Sequence, residues 1–218
     1  MTHYNISITS DTVCPWCYIG HRRLQRAIDQ HKTTNPSDTF STSWHAFQLN
    51  PDAPKKGVPK RQYYEAKFGA AAVDPIFARL DGVGEQEGIK FNNDAKTGNT
   101  RDSHRLIEYA IGNGGEEVQT KVVEALFKAY FEDGSDITSH ATLQEAGIKA
   151  GLTETDVKHV LDSDEGGKVV DKEAGEARAN GVNGVPFFVV NDMYAVEGAQ
   201  ESNAFSMLFN RIKEKSKV

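Results

Sequence analysis

The chain contains two cysteines, Cys14 and Cys17, in the run Asp11-Thr12-Val13-Cys14-Pro15-Trp16-Cys17-Tyr18-Ile19-Gly20. Two thiols three positions apart at the start of a helix close a small disulfide with little rearrangement. If the first thiol is exposed and of low pKa, that ring opens and closes by thiolate attack. The chemistry this spacing points to is thiol–disulfide exchange. The pair is also compatible with a permanent local disulfide, with two inert thiols, or with zinc. A zinc site would need histidines such as His21, His45 or His104 to complete a tetrahedral shell, and no second ligand pair is visible in the spacing.

The elements that must position the cysteines can be read around them. Tyr4–Ser10 is short and rich in β-branched residues, with Ile6 and Ile8 on one face of an expected strand. After Cys17, Leu24 and Ile28 recur at helical spacing, and Pro15 fits a first helical turn because no N–H is needed there. Cys14 then sits at a helix N-terminus, where unpaired N–H groups and the helix dipole favour a thiolate, and Cys17 lies one turn further in and more covered. Trp16 between them shapes exposure rather than chemistry.

A polar loop leads to Thr39–Phe47, where Phe40, Thr42, Trp44 and Ala46 alternate in an expected second strand parallel to the first. Phe47–Pro54 leaves through a proline-bounded turn, and the lysines between 55 and 60 read as solvated surface. From about residue 60 to 180 the period becomes helical, over Arg61–Gly69, Ala71–Leu80, Ser103–Ile111, Glu116–Phe131, Ser139–Ala146, Thr153–Leu161 and Glu165–Asn180. Asp81–Thr100 reads as a glycine-rich polar stretch with a short extended piece at Ile89–Phe91. The aromatics of this region, among them Tyr63, Tyr64, Phe68, Phe77 and Tyr130, read as core. Val185–Val190, opened by Pro186, reads as a buried strand, Met193–Val196 as its hairpin partner, and Phe205, Leu208, Phe209 and Ile212 as a last helix.

With 218 residues the chain can bury a substantial core, and a net charge of −6 gives no support to nucleic-acid or anionic-membrane partners. No apolar run reaches transmembrane length and no leader is evident, so the expected compartment is the cytoplasm, whose reducing conditions favour reversible dithiol chemistry over a permanent disulfide. No coiled-coil or separable interface pattern bears on oligomeric state.

The order β-α-β, helical insertion, β-β-α, with CxxC on the first helix, is an α/β thioredoxin-like arrangement with a large helical insertion. The chain resembles the DsbA-like thioredoxin-fold superfamily, in the branch of polyketide-biosynthesis dithiol–disulfide isomerases or oxidoreductases. It is also similar to 2-hydroxychromene-2-carboxylate isomerases and kappa-class glutathione transferases. The resemblance rests on Asp11 with Cys14–Gly20, on Phe47–Pro51, on Asn99-Thr100 with His104-Arg105-Leu106, and on Gly184–Phe188 and Gly198-Ala199-Gln200.

The resemblance implies a cis peptide at Val185–Pro186 facing the cysteines, with Pro15, Trp16, Val185, Pro186 and His104 shaping the site around catalytic Cys14 and Cys17. It implies a disulfide or dithiol substrate, protein or small molecule, with no metal and no tightly bound cofactor, and glutathione as a redox partner or co-substrate. It divides the chain into a thioredoxin-like domain, 1–55 with 180–218, and an inserted helical domain, 56–179. The isomerase and transferase relatives usually carry serine at the position of Cys14, so the intact pair favours redox exchange over glutathione-dependent transfer or isomerisation, and over a redox-inactive interaction module.

Overall fold

The computed structural model describes residues 1–216. β1 (His3–Ser10) is followed by the cysteine-bearing helix α1 (Pro15–Thr34) and by β2 (Thr39–Ala46), parallel to β1 and paired residue for residue from His3–Thr39 to Ser10–Ala46. After the insertion come β5 (Phe187–Val190), antiparallel to β1, β6 (Tyr194–Glu197) and α8 (Ser202–Lys215). The sheet order is β2-β1-β5-β6. The hairpin between β5 and β6 turns on Asn191 and Asp192, both at positive φ, a conformation these two residue types tolerate.

One face of the sheet is apolar. Tyr4, Ile6 and Ile8 alternate inward on β1, Phe188 and Val190 on β5, and α8 brings Phe205 and Phe209 against them. The other face of β1 carries Asn5, Ser7 and Thr9, so the period-two pattern sets which side receives α1 and α8. α1 is held from a second direction by the insertion, where Tyr18 stacks on Phe127 and Phe131.

The insertion comprises β3 (Val58–Pro59), α2 (Lys60–Phe68), α3 (Ala70–Gln86), β4 (Lys96–Thr97), α4 (Arg101–Phe131), α5 (His140–Ala150), α6 (Glu154–Asp162) and α7 (Gly167–Ala179). The helices expected over 103–111 and 116–131 are both present, as the two limbs of α4 on either side of Gly115, whose positive φ breaks the helical path. α4 and α7 also close the outer edge of the sheet. The Gln119 amide accepts from Trp44 N–H and donates to Trp44 C=O, while Glu173 accepts from Ala46 N–H. These side chains satisfy backbone groups that an open edge strand would leave to solvent or to another chain. This is a thioredoxin-like α/β fold with a large helical insertion.

Two expectations fail within the insertion. Ile89–Phe91 is not a strand. α3 continues to Gln86, Ile89 is buried directly after it, and Phe91 packs edge-on against Phe131, so these side chains serve as core plugs in a loop. The short strands lie instead at 58–59 and 96–97. Lys60 is not solvated surface. It is buried, donates to the Asn92 carbonyl at 3.0 Å, and lies over the rings of Phe77, Tyr130 and Phe131. Burial lowers its ammonium to about 8, with Asp81 and Asp94 opposing.

The C-terminal helix is locked to the N-terminus through Asp38, which accepts from Thr2 N–H, from His31 and from the Lys213 ammonium. Burial alone would raise the Asp38 carboxyl, but those donors outweigh it and hold it well below the ordinary carboxylate range. A carboxyl depressed in the folded state contributes stability that is fully present above its unfolded value, near 3.9, and is lost as the pH falls below it. Urea-unfolding midpoints followed from pH 6 to pH 2.5 are expected to fall less steeply for Asp38→Asn than for the wild type. Parallel acid slopes would mean that this network does not contribute.

Candidate active site

Cys14 is the N-cap residue of α1, in an extended conformation, with Pro15 in the first turn behind it. Its N–H donates to the Asp11 carbonyl at 3.0 Å and its carbonyl accepts from Cys17 N–H at 3.0 Å, so the 11–14 turn delivers the first thiol to the helix tip. Both cysteines are free thiols. The first thiol is not exposed at the surface as expected. Cys14 is 4% exposed and reaches solvent through a cavity of about 370 Å³, whereas Cys17 is 1% exposed and does not line it. Burial pushes the Cys17 thiol well above its ordinary value and the adjacent Cys14 adds to this, against smaller opposing hydrogen bonds from Ser10 and Asp11.

The second strand-to-loop junction arrives opposite. The Val185–Pro186 peptide is cis, and the Cys14 thiol donates to the Val185 carbonyl at 3.4 Å across 171 residues of sequence. Gly20, on α1, permits this approach. A Cβ there would stand 3.0 Å from Pro186 Cγ and 3.1 Å from Phe188 Cζ, closer than side chains normally pack. Gly20→Val is therefore expected to push the Val185–Pro186 loop off α1 and slow disulfide exchange by about 10²-fold, the scale of an ångström-level misplacement, with far-UV circular dichroism unchanged. Wild-type exchange rates in that variant would show that the loop's seat on α1 is not needed.

Trp16 lines the cavity, half-buried beneath the Arg79 guanidinium, which stands 5.4 Å from the ring centre. Val185 lines it as well. His104 does not. It is buried on α4 with Nε2 3.4 Å from Asp11 Oδ1, and among the described residues neither atom has a hydrogen-bond partner. The other Asp11 oxygen accepts from Leu49 N–H at 2.7 Å, and Thr12 bonds to Ser103 at 2.7 Å. The start of α4 is thus bolted to the turn that carries Cys14. Of the three histidines considered as zinc ligands, His21 bonds to Glu124 and His45 to Glu173, while His104 only approaches Asp11.

The wall of the cavity was not legible as a site. Tyr63, Tyr64 and Phe68 on α2, read as core, line the cavity with Lys67 beside them, whereas Phe77, Phe127 and Phe131 are core as expected. Tyr130 is buried and also lines the cavity. The signal available was positional, since residues 63, 64, 67 and 68 share one helical face that mixes rings with a lysine. Glu197 is exposed on β6, outside the cavity.

A family model described as a DSBA-like thioredoxin domain matches residues 5–209. Among solved structures, the chain is similar to a probable DsbA oxidoreductase from Streptomyces coelicolor, at 27% identity and a TM-score of 0.83, covering 96% of this chain and 89% of that one. It is similar in fold to a 2-hydroxychromene-2-carboxylate isomerase, at 15% identity and a TM-score of 0.70 over 98% of both chains. The cytosolic disulfide reductase DsbM from Pseudomonas aeruginosa, in a structure with GSH, is likewise similar in fold, at 15% identity and a TM-score of 0.62, covering 96% of this chain and 99% of that one. No curated protein matches the sequence.

Proposed function

The chain belongs to the family of DSBA-like thioredoxin domains, and from that premise we propose that it is a thiol–disulfide oxidoreductase or isomerase that cycles Cys14 and Cys17 between dithiol and disulfide. The observation that carries this reading is the asymmetry of the pair. Cys14 opens into the cavity beside the Val185 carbonyl, and Cys17 is sealed directly behind it.

Exchange then runs in two displacements. The Cys14 thiolate attacks one sulfur of a substrate disulfide, the substrate S–S bond breaks, and the departing sulfur leaves with the electron pair and takes a proton. Cys17 next loses its proton and attacks the Cys14 sulfur, expelling the second substrate thiol and closing the protein disulfide. Burial keeps Cys17 protonated, so it does not compete for the first attack. When Cys14 is tied up in the mixed disulfide, its contribution to the raised Cys17 value is gone, which favours the second attack. In the reverse direction the oxidised pair takes two electrons from a dithiol.

Pro15 and Trp16 set the geometry at the helix tip, Val185 and Pro186 form the opposing lip, and His104 acts from behind through Asp11. The motifs at 47–51 and 99–106 carry the finer assignment to the polyketide-biosynthesis dithiol–disulfide isomerase branch. Glutathione fits as a redox partner, in line with the similar cytosolic disulfide reductase whose structure is with GSH. We place the reaction in the cytoplasm, where small thiols keep such a pair reduced.

Equilibrating the protein with dithiothreitol of varied redox ratio, and reading free thiols, tests this. A single reversible two-electron transition is expected, together with turnover of a reporter disulfide above the rate of free dithiothreitol. A pair that does not reoxidise reversibly rejects the reading.

A further inference from the structure

We propose that the cavity beside Cys14 selects a small disulfide, or the matching thiol, with a ring-bearing body and an anionic group at its far end, rather than a protein disulfide. This rests on the exchange reading above and adds the substrate class. A volume of about 370 Å³ lies in the range of small-molecule sites. Its walls are rings and aliphatic side chains, with Tyr63, Tyr64 and Phe68 from α2 and Ile76 from α3 lining the same space as Trp16. Flat apolar walls of this kind favour a planar body through offset stacking and edge contacts.

The charges define an orientation. Lys67 and Arg79 both line the cavity and are exposed, and among the described residues neither has a carboxylate partner, although Arg61, on the same helix as Lys67, pairs with Asp74 of α3. Asp11 is the carboxylate lining the cavity. It is buried beside the 11–14 turn, with Oδ2 accepting from Leu49 N–H and Oδ1 turned toward His104 at 3.4 Å, behind the cavity. Two exposed cations on the wall, without a carboxylate partner among the described residues, and a buried thiol at the helix tip place an anion outward and the reacting sulfur inward.

A protein disulfide carries two chains whose Cα atoms stand about 4.4–6.8 Å apart. To bring such a group to a Cys14 that is 4% exposed, it would have to displace the wall made by α2 and α3. The reaction balances as one substrate disulfide plus two protein thiols giving two substrate thiols plus the protein disulfide, with a dithiol as the reductant that resets the pair.

The test compares 4,4′-dithiobis(benzoate) with its neutral bis(N-methylamide), each rate divided by its uncatalysed rate with dithiothreitol so that leaving-thiol differences cancel. Oxidised glutathione, anionic but without a ring, and insulin, a protein disulfide, are run alongside. The wild type is expected to favour the dicarboxylate over the diamide by about five- to tenfold, from two rim charge contacts, and the Lys67→Gln/Arg79→Gln protein to bring that ratio to about one through KM. Tyr64→Ala is expected to raise KM for both aryl probes and not for oxidised glutathione.

An unchanged dicarboxylate-to-diamide ratio in the double variant, or insulin turned over faster than the aryl probes after the same normalisation, overturns the proposal. Quenching of tryptophan fluorescence by 4-(methylthio)benzoate, which cannot exchange, reads occupation of the cavity separately. Quenching that weakens in the double variant, with no turnover of any disulfide, would sink the exchange reading while leaving the binding preference standing.

Discussion

Cys17→Ser protein mixed with a disulfide substrate is expected to stop after one displacement and accumulate a covalent adduct at Cys14, whereas Cys14→Ser protein forms none. The first attack needs only a sulfur that can meet the substrate. Cys14 lines the cavity and Cys17 does not, so Cys17 cannot stand in for it. Replacing Cys14 by a hydroxyl removes the thiolate that is the nucleophile, and steady-state exchange should fall by about 10³-fold or more, to the uncatalysed level. Replacing Cys17 leaves the nucleophile but removes intramolecular resolution, so turnover becomes limited by an external thiol while the initial release of one substrate thiol persists. Intact-mass spectrometry reads the adduct, and a thiol-release assay reads the single turnover. Wild-type turnover by Cys14→Ser, or adducts mapped to Cys17, would reverse these roles.

The second large effect concerns stability rather than chemistry. Arg105, 2% exposed, donates to the carbonyls of Val160, Ser163 and Glu165 and to Asp102. Val160 lies in the last turn of α6 and Ser163 is its cap, so the guanidinium satisfies carbonyls at a helix C-terminus, where a cation also meets the negative end of the dipole. Arg105→Met is expected to leave those carbonyls without their donor and to cost roughly 3–5 kcal/mol in urea unfolding. Arg105→Lys should recover only part, because an ammonium cannot span the fork of acceptors. Exchange by Arg105→Met, assayed where it is still folded, should stay near wild type, since Arg105 does not line the cavity. A loss below about 1 kcal/mol would show that water replaces the guanidinium at no cost.

Local features of the sequence were sufficient for the elements that carry the cysteines. Strand β1 with Ile6 and Ile8 inward, helix α1 beginning at Pro15, the strand β2 and the β5–β6 hairpin all follow from periodicity and turn chemistry, which depend on neighbours within a few residues, and the parallel sense of β2 from the crossover helix between it and β1. The spacing of Cys14 and Cys17 likewise determined which would be the outer thiol. The cis Val185–Pro186 peptide was expected only through family resemblance, since spacing does not select the isomer.

What the tertiary structure decided are facts that depend on distant segments meeting. Cys14 is enclosed because α2 and α3 stand over it, and no pattern near residue 14 encodes a wall supplied by residues 63–80. Tyr63 and Phe68 line a cavity while Phe127 and Phe131 fill the core, although all four are aromatics on helices, because burial depends on what each helix face meets. Lys60 is buried for the same reason. Its charge marks it as surface, but α2 starts where Asn92 and three rings close over it. His104 stands behind Asp11 rather than at the opening because α4 is bolted to the 11–12 turn through Ser103, a contact across 91 residues that helical periodicity does not contain. Local sequence specifies conformation and chemistry at short range, and only packing determines which of those groups share a cavity.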